Sequence, residues 1–200
     1  MNKIILLALS VSFFVDTNAQ AAKTVTSLAK LDLGLQGIGF SYEAKAFNNF
    51  TIDLCAGVGG GYDVYAADDE IPSFPNNYEY SFVKPALHLS LTPKYFYNTQ
   101  KRTGKGKNTQ FNSANFFGIR VKYVTPLSEF DPYHPITTTI LTNIHWGIQR
   151  TIGGHWLFNS QVGAGYAIGT DCNCGMIYPA FDFKFAYVVR EIRKYKKKYI

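Results

Sequence analysis

The sequence predicts an all-β protein, a closed antiparallel up-and-down transmembrane β-barrel of about eight strands. Apolar and polar residues alternate with a period of two over long segments, which is typical of strands. These segments run well beyond the five or six residues of a soluble strand and match the roughly 9–11 residues of a tilted membrane-spanning strand. Charged residues fall on the face that also carries Gly, Ser, Thr and Asn, which suits a polar barrel interior and not a dry core.

The N-terminus predicts export. Met1, Asn2 and Lys3 form a short positive start, residues 4–15 are almost wholly apolar, and residues 19–21 fit an A-x-A cleavage pattern. These are the three parts of a secretory signal peptide, and the apolar run is too short to span a membrane as a helix. We therefore expect a signal peptide at 1–21, a barrel at 22–189 and a basic tail at 190–200.

Seven segments show the alternation clearly. In 50–65, for example, the even positions are mostly apolar and the odd positions are small or polar. The seven segments are 31–46, 50–65, 83–97, 116–124, 136–149, 155–169 and 177–189.

An eighth strand is expected because bacterial single-chain barrels have an even number of strands. The phase of 31–46 changes near Gly37, since Leu33 and Leu35 are odd whereas Ile38 and Phe40 are even. A bulge at Gly37 would explain the change. The eighth strand then comes either from 23–30 or from a split of 31–46 at Gly37, and both alternatives stay open.

The connections alternate between short and long. Residues 48–49 and 153–154 resemble hairpin turns, whereas 66–79, 125–135 and 170–175 are longer and rich in Pro, Asp and Cys. A periplasmic C-terminus places all three longer loops outside the cell. The exception is 100–112, which the sequence predicts to be a long, flexible, Lys-rich turn around Gly104 and Gly106.

Aromatic residues lie near the strand ends, as the interfacial girdles of membrane barrels do. The predicted girdle contains Tyr62, Tyr65, Tyr95, Tyr97, Trp146, Trp156, Tyr166 and Tyr187. Aromatic residues make up 16% of the chain and charged residues only 17%. This composition excludes a disordered chain.

The Gly-rich strand GVGGGY at 57–62, the segment PKYFYN at 93–98 and the final strand FDFKFAY at 181–187 resemble the small outer-membrane β-barrel proteins of Gram-negative bacteria. This is the porin-like or outer-membrane-protein-A-like superfamily. The resemblance implies an outer-membrane location, contact with outer-membrane lipid and an envelope-structural or surface-interaction role. It implies no cofactor.

A pairing network of polar side chains is predicted to fill the lumen. An interior enclosed by about eight strands has room for side chains or one small ligand, so we expect no large pore. The predicted members are Asp53, Lys84, Arg120, Lys122, His145, Asp182 and Lys184.

His88 and Ser90 are the only catalytic candidates. Lipid A deacylases, which are also small outer-membrane barrels, use a His-x-Ser pair, and a nucleophilic Ser needs such a base nearby. The flanking residues here do not match that family, and both side chains face the predicted lumen, so a hydrogen-bonding role is favoured. A lipid-modifying enzyme and a binder or transporter of a small hydrophobic molecule remain the alternative functions.

Cys55, Cys172 and Cys174 are an odd number of cysteines in an exported chain, so one is unpaired. No His or further Cys lies near the C-x-C pair in sequence, and we predict no metal site. Residues without a special role are the favoured interpretation.

The net charge of +6 is concentrated at the C-terminus, where residues 190–200 carry six basic residues and one acidic residue. An exported barrel does not meet nucleic acid, so we expect no nucleic-acid partner. The tail is predicted to be solvated or to contact phosphate or carboxylate groups of lipid or cell wall.

Overall fold

Eight antiparallel strands form a closed barrel in which each strand pairs with its neighbours along the chain and the last pairs with the first. The structure, a computed structural model, describes residues 24–64, 78–127, 138–170 and 174–192. The strands are β1 Ser27–Gly34, β2 Gly37–Lys45, β3 Phe50–Val64, β4 Tyr78–Phe96, β5 Asn115–Pro126, β6 Thr139–Gly153, β7 Trp156–Gly169 and β8 Cys174–Ile192. The predicted all-β, up-and-down barrel is confirmed, and so is the number of strands.

The predicted bulge at Gly37 is wrong, because the chain reverses direction there. Gly34 pairs with Gly37, and Leu35 and Gln36 form the turn between them. Gly37 has a φ of 107°, a conformation that glycine adopts without steric cost. The eighth strand therefore comes from splitting 31–46, with β1 starting four residues earlier at Ser27.

An irregularity that was not predicted interrupts the pairing of β3 with β4: Gly60 pairs with Pro85, but the next residue, Gly61, pairs with Ser81, so the extra residues lie on β4. Beyond it, Tyr62 is buried and contacts Tyr80 on β4, with ring centroids 4.9 Å apart. Tyr62 is therefore not part of the predicted aromatic girdle.

The middle of the outer wall is apolar. All eight strands carry outward apolar side chains that are between 43% and 67% exposed in the isolated chain. They include Leu31, Leu33, Ile38, Phe40, Leu54, Val58, Leu89, Leu91, Phe117, Ile119, Val121, Ile144, Val162, Ile177, Phe181 and Val189. The inward positions, by contrast, carry most of the buried charged and amide side chains.

The connection after β4 differs from its prediction as a flexible turn. It contains helix α1 (Thr99–Gly104) and a short 3₁₀ turn, η1 (Gln110–Asn112), after which the chain enters β5. Phe111 and Asn112 are both buried and adopt left-handed φ values of 51° and 58°. The basic residues of the segment stay on the surface while its end crosses the mouth of the barrel. No helix in the described ranges is long and apolar enough to cross a membrane.

Phe111 and Asn112 are held at the mouth by partners on four strands, β1, β2, β6 and β7. Phe111 packs in an apolar cluster with Leu28 and Leu157. The Nδ2 of Asn112 donates to Glu43 Oε1 at 2.7 Å, and the Nε2 of Gln149 donates to the Phe111 carbonyl at 2.9 Å. Residues 109–114 thus form a floor at the short-turn end of the barrel.

Several predictions lie outside the described residues. These are the signal peptide, the longer loops except for their edges, Tyr65, Cys172 and residues 193–200 of the tail. The described part of the tail continues the sheet, because Arg190 and Glu191 pair with β1 and β8 ends at Ile192. The predicted boundary at 189 therefore falls inside the last strand.

Candidate functional site: the barrel lumen

Four ionic side chains fill the lumen next to the floor. Lys30 Nζ lies 2.9 Å from Glu43 Oε2 and 3.2 Å from Asp53 Oδ2. Lys94 Nζ lies 2.5 Å from Asp53 Oδ2 and 3.5 Å from Glu43 Oε2. All four side chains are at most 5% exposed, and their charges balance. We call this group the ion quartet.

The sheet register brings the quartet together. Glu43 on β2 faces Asp53 on β3, and Lys94 on β4 faces the neighbouring Thr51. Lys30 reaches both carboxylates from β1, on the other side of β2. Pairing makes such burial tolerable, because removal of one partner would leave an uncompensated buried charge.

Two further ion pairs lie deeper in the barrel. Lys184 Nζ is 2.5 Å from Asp32 Oδ2, and Arg120 Nη1 is 3.0 Å from Asp182 Oδ2. Asp182 Oδ2 also accepts a hydrogen bond from Gln161 Nε2 at 3.1 Å.

Lys122 is placed differently from the other lumen cations. It is only 3% exposed, and its Nζ donates to Gln36 Oε1 at 2.5 Å and to the Tyr62 hydroxyl at 3.3 Å. It also lies 4.7 Å from the centroid of the Tyr62 ring. No carboxylate of the described ranges lies within ion-pairing distance of it.

The remaining predicted lumen residues do not join these pairs. His145 Nδ1 shares a hydrogen bond with Asn143 Oδ1 at 2.7 Å, and its ring lies against Gly118. Lys84 is half-buried towards the loop end of β4.

His88 and Ser90 line one small cavity of about 30 Å³, together with Cys55 and Asp182. The imidazole of His88 packs against Gly57, where a Cβ would come within 2.7 Å of the ring. Within the described part of the chain, no hydrogen bond joins His88 to Ser90 and no carboxylate contacts the ring. The arrangement of nucleophile, base and orienting acid that acyl transfer needs is therefore not assembled there.

Sequence reasoning missed four members of the lumen network: Lys30, Asp32, Glu43 and Lys94. Lys30 and Asp32 alternate with the outward Leu31, so the signal was present in the period of two. For Lys30 it was obscured because residues 23–30 were only one of two alternatives for the eighth strand.

Cys55 is a free thiol, with its Sγ 3.9 Å from Asp32 Oδ2. Cys172 lies outside the described residues. Among the residues that the structure describes, no three or more His, Cys, Asp or Glu side chains are grouped so that they could hold a metal ion.

No family model matches the chain, and no curated protein matches it. A solved structure that it resembles is the solid-state NMR structure of outer membrane protein AlkL in DMPC lipid bilayers. The identity is 12%, the match covers 88% of this chain and 94% of that chain, and the TM-score is 0.35.

Proposed function

We propose that this chain is an integral outer-membrane β-barrel protein with an envelope-structural or surface-interaction role and no large pore. The observation that carries the proposal is the inverted polarity of the barrel. Ile144, Phe181 and Ile38 are at least 60% exposed on the outer wall, whereas Lys30, Lys94 and Glu43 are at most 1% exposed inside it. On a water-soluble protein, a large exposed apolar surface marks a site of contact with lipid or with another protein. On a closed barrel, an apolar band around the outer wall fits the hydrocarbon core of a bilayer.

A belt of exposed aromatic side chains at the short-turn end of the barrel supports the proposed position in a bilayer. Trp146 Nε1 donates to the Tyr97 hydroxyl at 2.9 Å, and the rings of Tyr97 and Phe117 lie 5.3 Å apart. Trp156 and Tyr187 form another exposed pair at 5.3 Å. Side chains with an apolar body and a polar tip favour the boundary between lipid and water. The belt therefore marks one edge of the membrane-embedded zone.

The proposal that there is no large pore is supported by the way the described side chains fill the interior. The floor at 109–114 crosses the mouth, and the ion quartet packs directly against it through the bond from Asn112 to Glu43. Ions held this tightly leave no wide water-filled path beside them. We expect no stepwise ion current when the purified protein is inserted into planar bilayers, and sustained single-channel steps would contradict this part of the proposal.

The expected partners are the lipids around the apolar wall. The exposed Arg190 begins the basic tail at the same end as the floor. We infer that the tail meets phosphate or carboxylate groups of lipid or cell wall at the periplasmic face. The longer loops at the opposite end would then carry any surface interaction.

The alternative functions have less support. A lipid-modifying enzyme would need His88 and Ser90 to act together, and they share no hydrogen bond. A binder of hydrophobic molecules would need an apolar lumen, whereas this one is lined by ions and amides.

Membrane fractionation followed by electrophoresis with and without boiling tests the proposal. We expect the protein in the outer-membrane fraction, with a faster mobility before boiling because a closed barrel resists the detergent. Recovery in a soluble fraction, with the same mobility before and after boiling, would overturn it.

A further inference from the structure

Among the described residues, the ion pairs of the lumen and Lys122 include one more buried cation than carboxylates. We propose that Lys122 and Arg120 together bind a small oxyanion, a phosphate or carboxylate group, on the side of the lumen nearer the loops. This site is separate from the surface role proposed above and does not depend on it.

The charge count identifies Lys122 as the excess cation. In the described lumen the ion pairs and Lys122 comprise five cations and four carboxylates. The quartet is neutral, and so are the pairs Lys184–Asp32 and Arg120–Asp182. Lys122 has only the neutral oxygens of Gln36 and Tyr62 and the face of the Tyr62 ring. A buried ammonium with no counter-charge is costly, and a bound anion removes that cost.

Arg120 adds unused donors to the same place. Its guanidinium has five N–H groups, of which Nε donates to Thr92 Oγ1 and Nη1 donates to Asp182 Oδ2. The other N–H groups have no acceptor among the described residues. Since the fork of arginine matches the oxygens of phosphate and carboxylate, these donors favour an oxyanion over a spherical halide.

A cavity joins the two cations. It has a volume of about 40 Å³ and is lined by both of them. That space holds a few water-sized groups, which is the size of one small oxyanion and too small for a larger molecule. The other polar side chains lining it are Gln36, Tyr62, Asn143, Gln161, Tyr178 and Asp182.

An unpartnered amide group is a second sign of a ligand. Gln161 is 5% exposed; its Nε2 donates to Asp182, whereas its Oε1 has no donor in the described structure. A hydroxyl-bearing oxyanion such as hydrogen phosphate, or a water that it holds, can supply that donor. Inorganic phosphate is therefore the probe of choice.

Calorimetric titration of the full-length protein in detergent micelles, at constant ionic strength, tests the site. We expect inorganic phosphate to bind with a millimolar dissociation constant. We expect at least about tenfold weaker binding to Lys122→Met, because the variant removes the unpaired charge. Lys105→Met removes the same charge from an exposed position, and its affinity should stay within about twofold of the unchanged protein.

Short-chain phosphatidic acid distinguishes a free oxyanion from a lipid headgroup. We expect little binding of this lipid, because the cavity is enclosed by the barrel wall. No heat with inorganic phosphate, equal affinity in Lys122→Met, or tighter binding of the lipid would each overturn the proposal. Heat-modifiable mobility verifies that the variant folds.

Arg120→Lys provides a second variant if Lys122→Met does not fold. It keeps the charge and can keep the contact with Asp182, but it loses the fork of donors. Phosphate should raise the thermal unfolding midpoint of the unchanged protein and raise that of Arg120→Lys by clearly less. An equal rise in both would contradict a role for the guanidinium.

Discussion

The ion quartet shows at the residue scale why a polar lumen can be stable. Asp53 Oδ2 accepts from both Lys30 and Lys94, so one carboxylate oxygen neutralises parts of two cations. Glu43 does the same and also accepts from Asn112 of the floor. Every charge of the quartet therefore depends on the others, and the loss of one leaves an uncompensated ion.

Asp53→Asn should lower the free energy of unfolding by about 3 kcal/mol, because it leaves two buried ammonium groups with one carboxylate. Denaturant titration of the refolded protein in lipid vesicles measures this loss. The double variant with Lys94→Met restores the charge balance and should recover part of the stability. Unfolding of Asp53→Asn at the same denaturant concentration as the unchanged protein would argue against a structural role for the quartet.

At the scale of elements, the β1–β2 hairpin is a part of the fold that the sequence alone could not predict. A two-residue turn and a bulge both change the phase of a period-two pattern, so the switch between Leu33 and Ile38 fits either. The pairing of β1 with β2 and with β8 decides between a turn and a bulge. This pairing depends on residues that are far apart in the sequence. The six later strands were predictable because their alternation continues without interruption over most of their length.

The lumen could be predicted in part for the same reason. The inward positions follow from the period of two, and so Asp53, Arg120 and Asp182 were identified. Which cation meets which carboxylate depends on register and on the curvature of the wall. The floor at 109–114 was missed because its signal is a buried Phe111 in left-handed geometry, within a segment rich in Gly and Lys.

The turn between β1 and β2 packs against Gly59 of β3, so a substitution of Gly59 tests how close this packing is. A Cβ at Gly59 would lie 1.7 Å from the Gln36 carbonyl oxygen, so the backbone must shift to accept it. We expect Gly59→Ala to lower the free energy of unfolding by about 2 kcal/mol. Gly104→Ala is the matched control, because no atom lies within 4 Å of its added methyl group, and it should leave stability unchanged or slightly higher. Equal stabilities of the two variants would contradict the close approach.

Substitutions of Asn112 test whether its hydrogen bonds and left-handed backbone hold the floor in place. Its side chain accepts from the Thr26 amide at 2.8 Å and donates to the Thr26 carbonyl at 2.9 Å, besides its bond to Glu43. Asn112→Gly loses these bonds, which should cost about 2 kcal/mol of unfolding free energy. Asn112→Ala loses the same bonds but keeps a Cβ at a φ of 58°, which glycine does not have, so it should be about 1 kcal/mol less stable than Asn112→Gly. Chemical denaturation measures this order, and an alanine variant as stable as the glycine variant would contradict the left-handed geometry.

On the scale of the whole molecule, the strands explain the composition. The outer wall carries apolar residues where a water-soluble protein would carry polar ones, and the content of charged residues is low for that reason. Eight of the charged side chains in the described strands turn inward and form ion pairs. This distribution of polarity is what our proposal of a bilayer around the middle of the barrel and water at its ends rests on.

Spin labelling in lipid vesicles tests this central claim most directly. Single nitroxide labels at positions 54, 144 and 181, in a variant whose own cysteines are replaced by serine, report from the middle of the outer wall. A label at position 105 on the exposed segment after α1 is the control. We predict that dissolved oxygen reaches the three wall labels far better than a water-soluble nickel complex does, with the reverse order at 105. Equal access of the nickel complex to position 144 and position 105 would contradict a lipid-facing barrel.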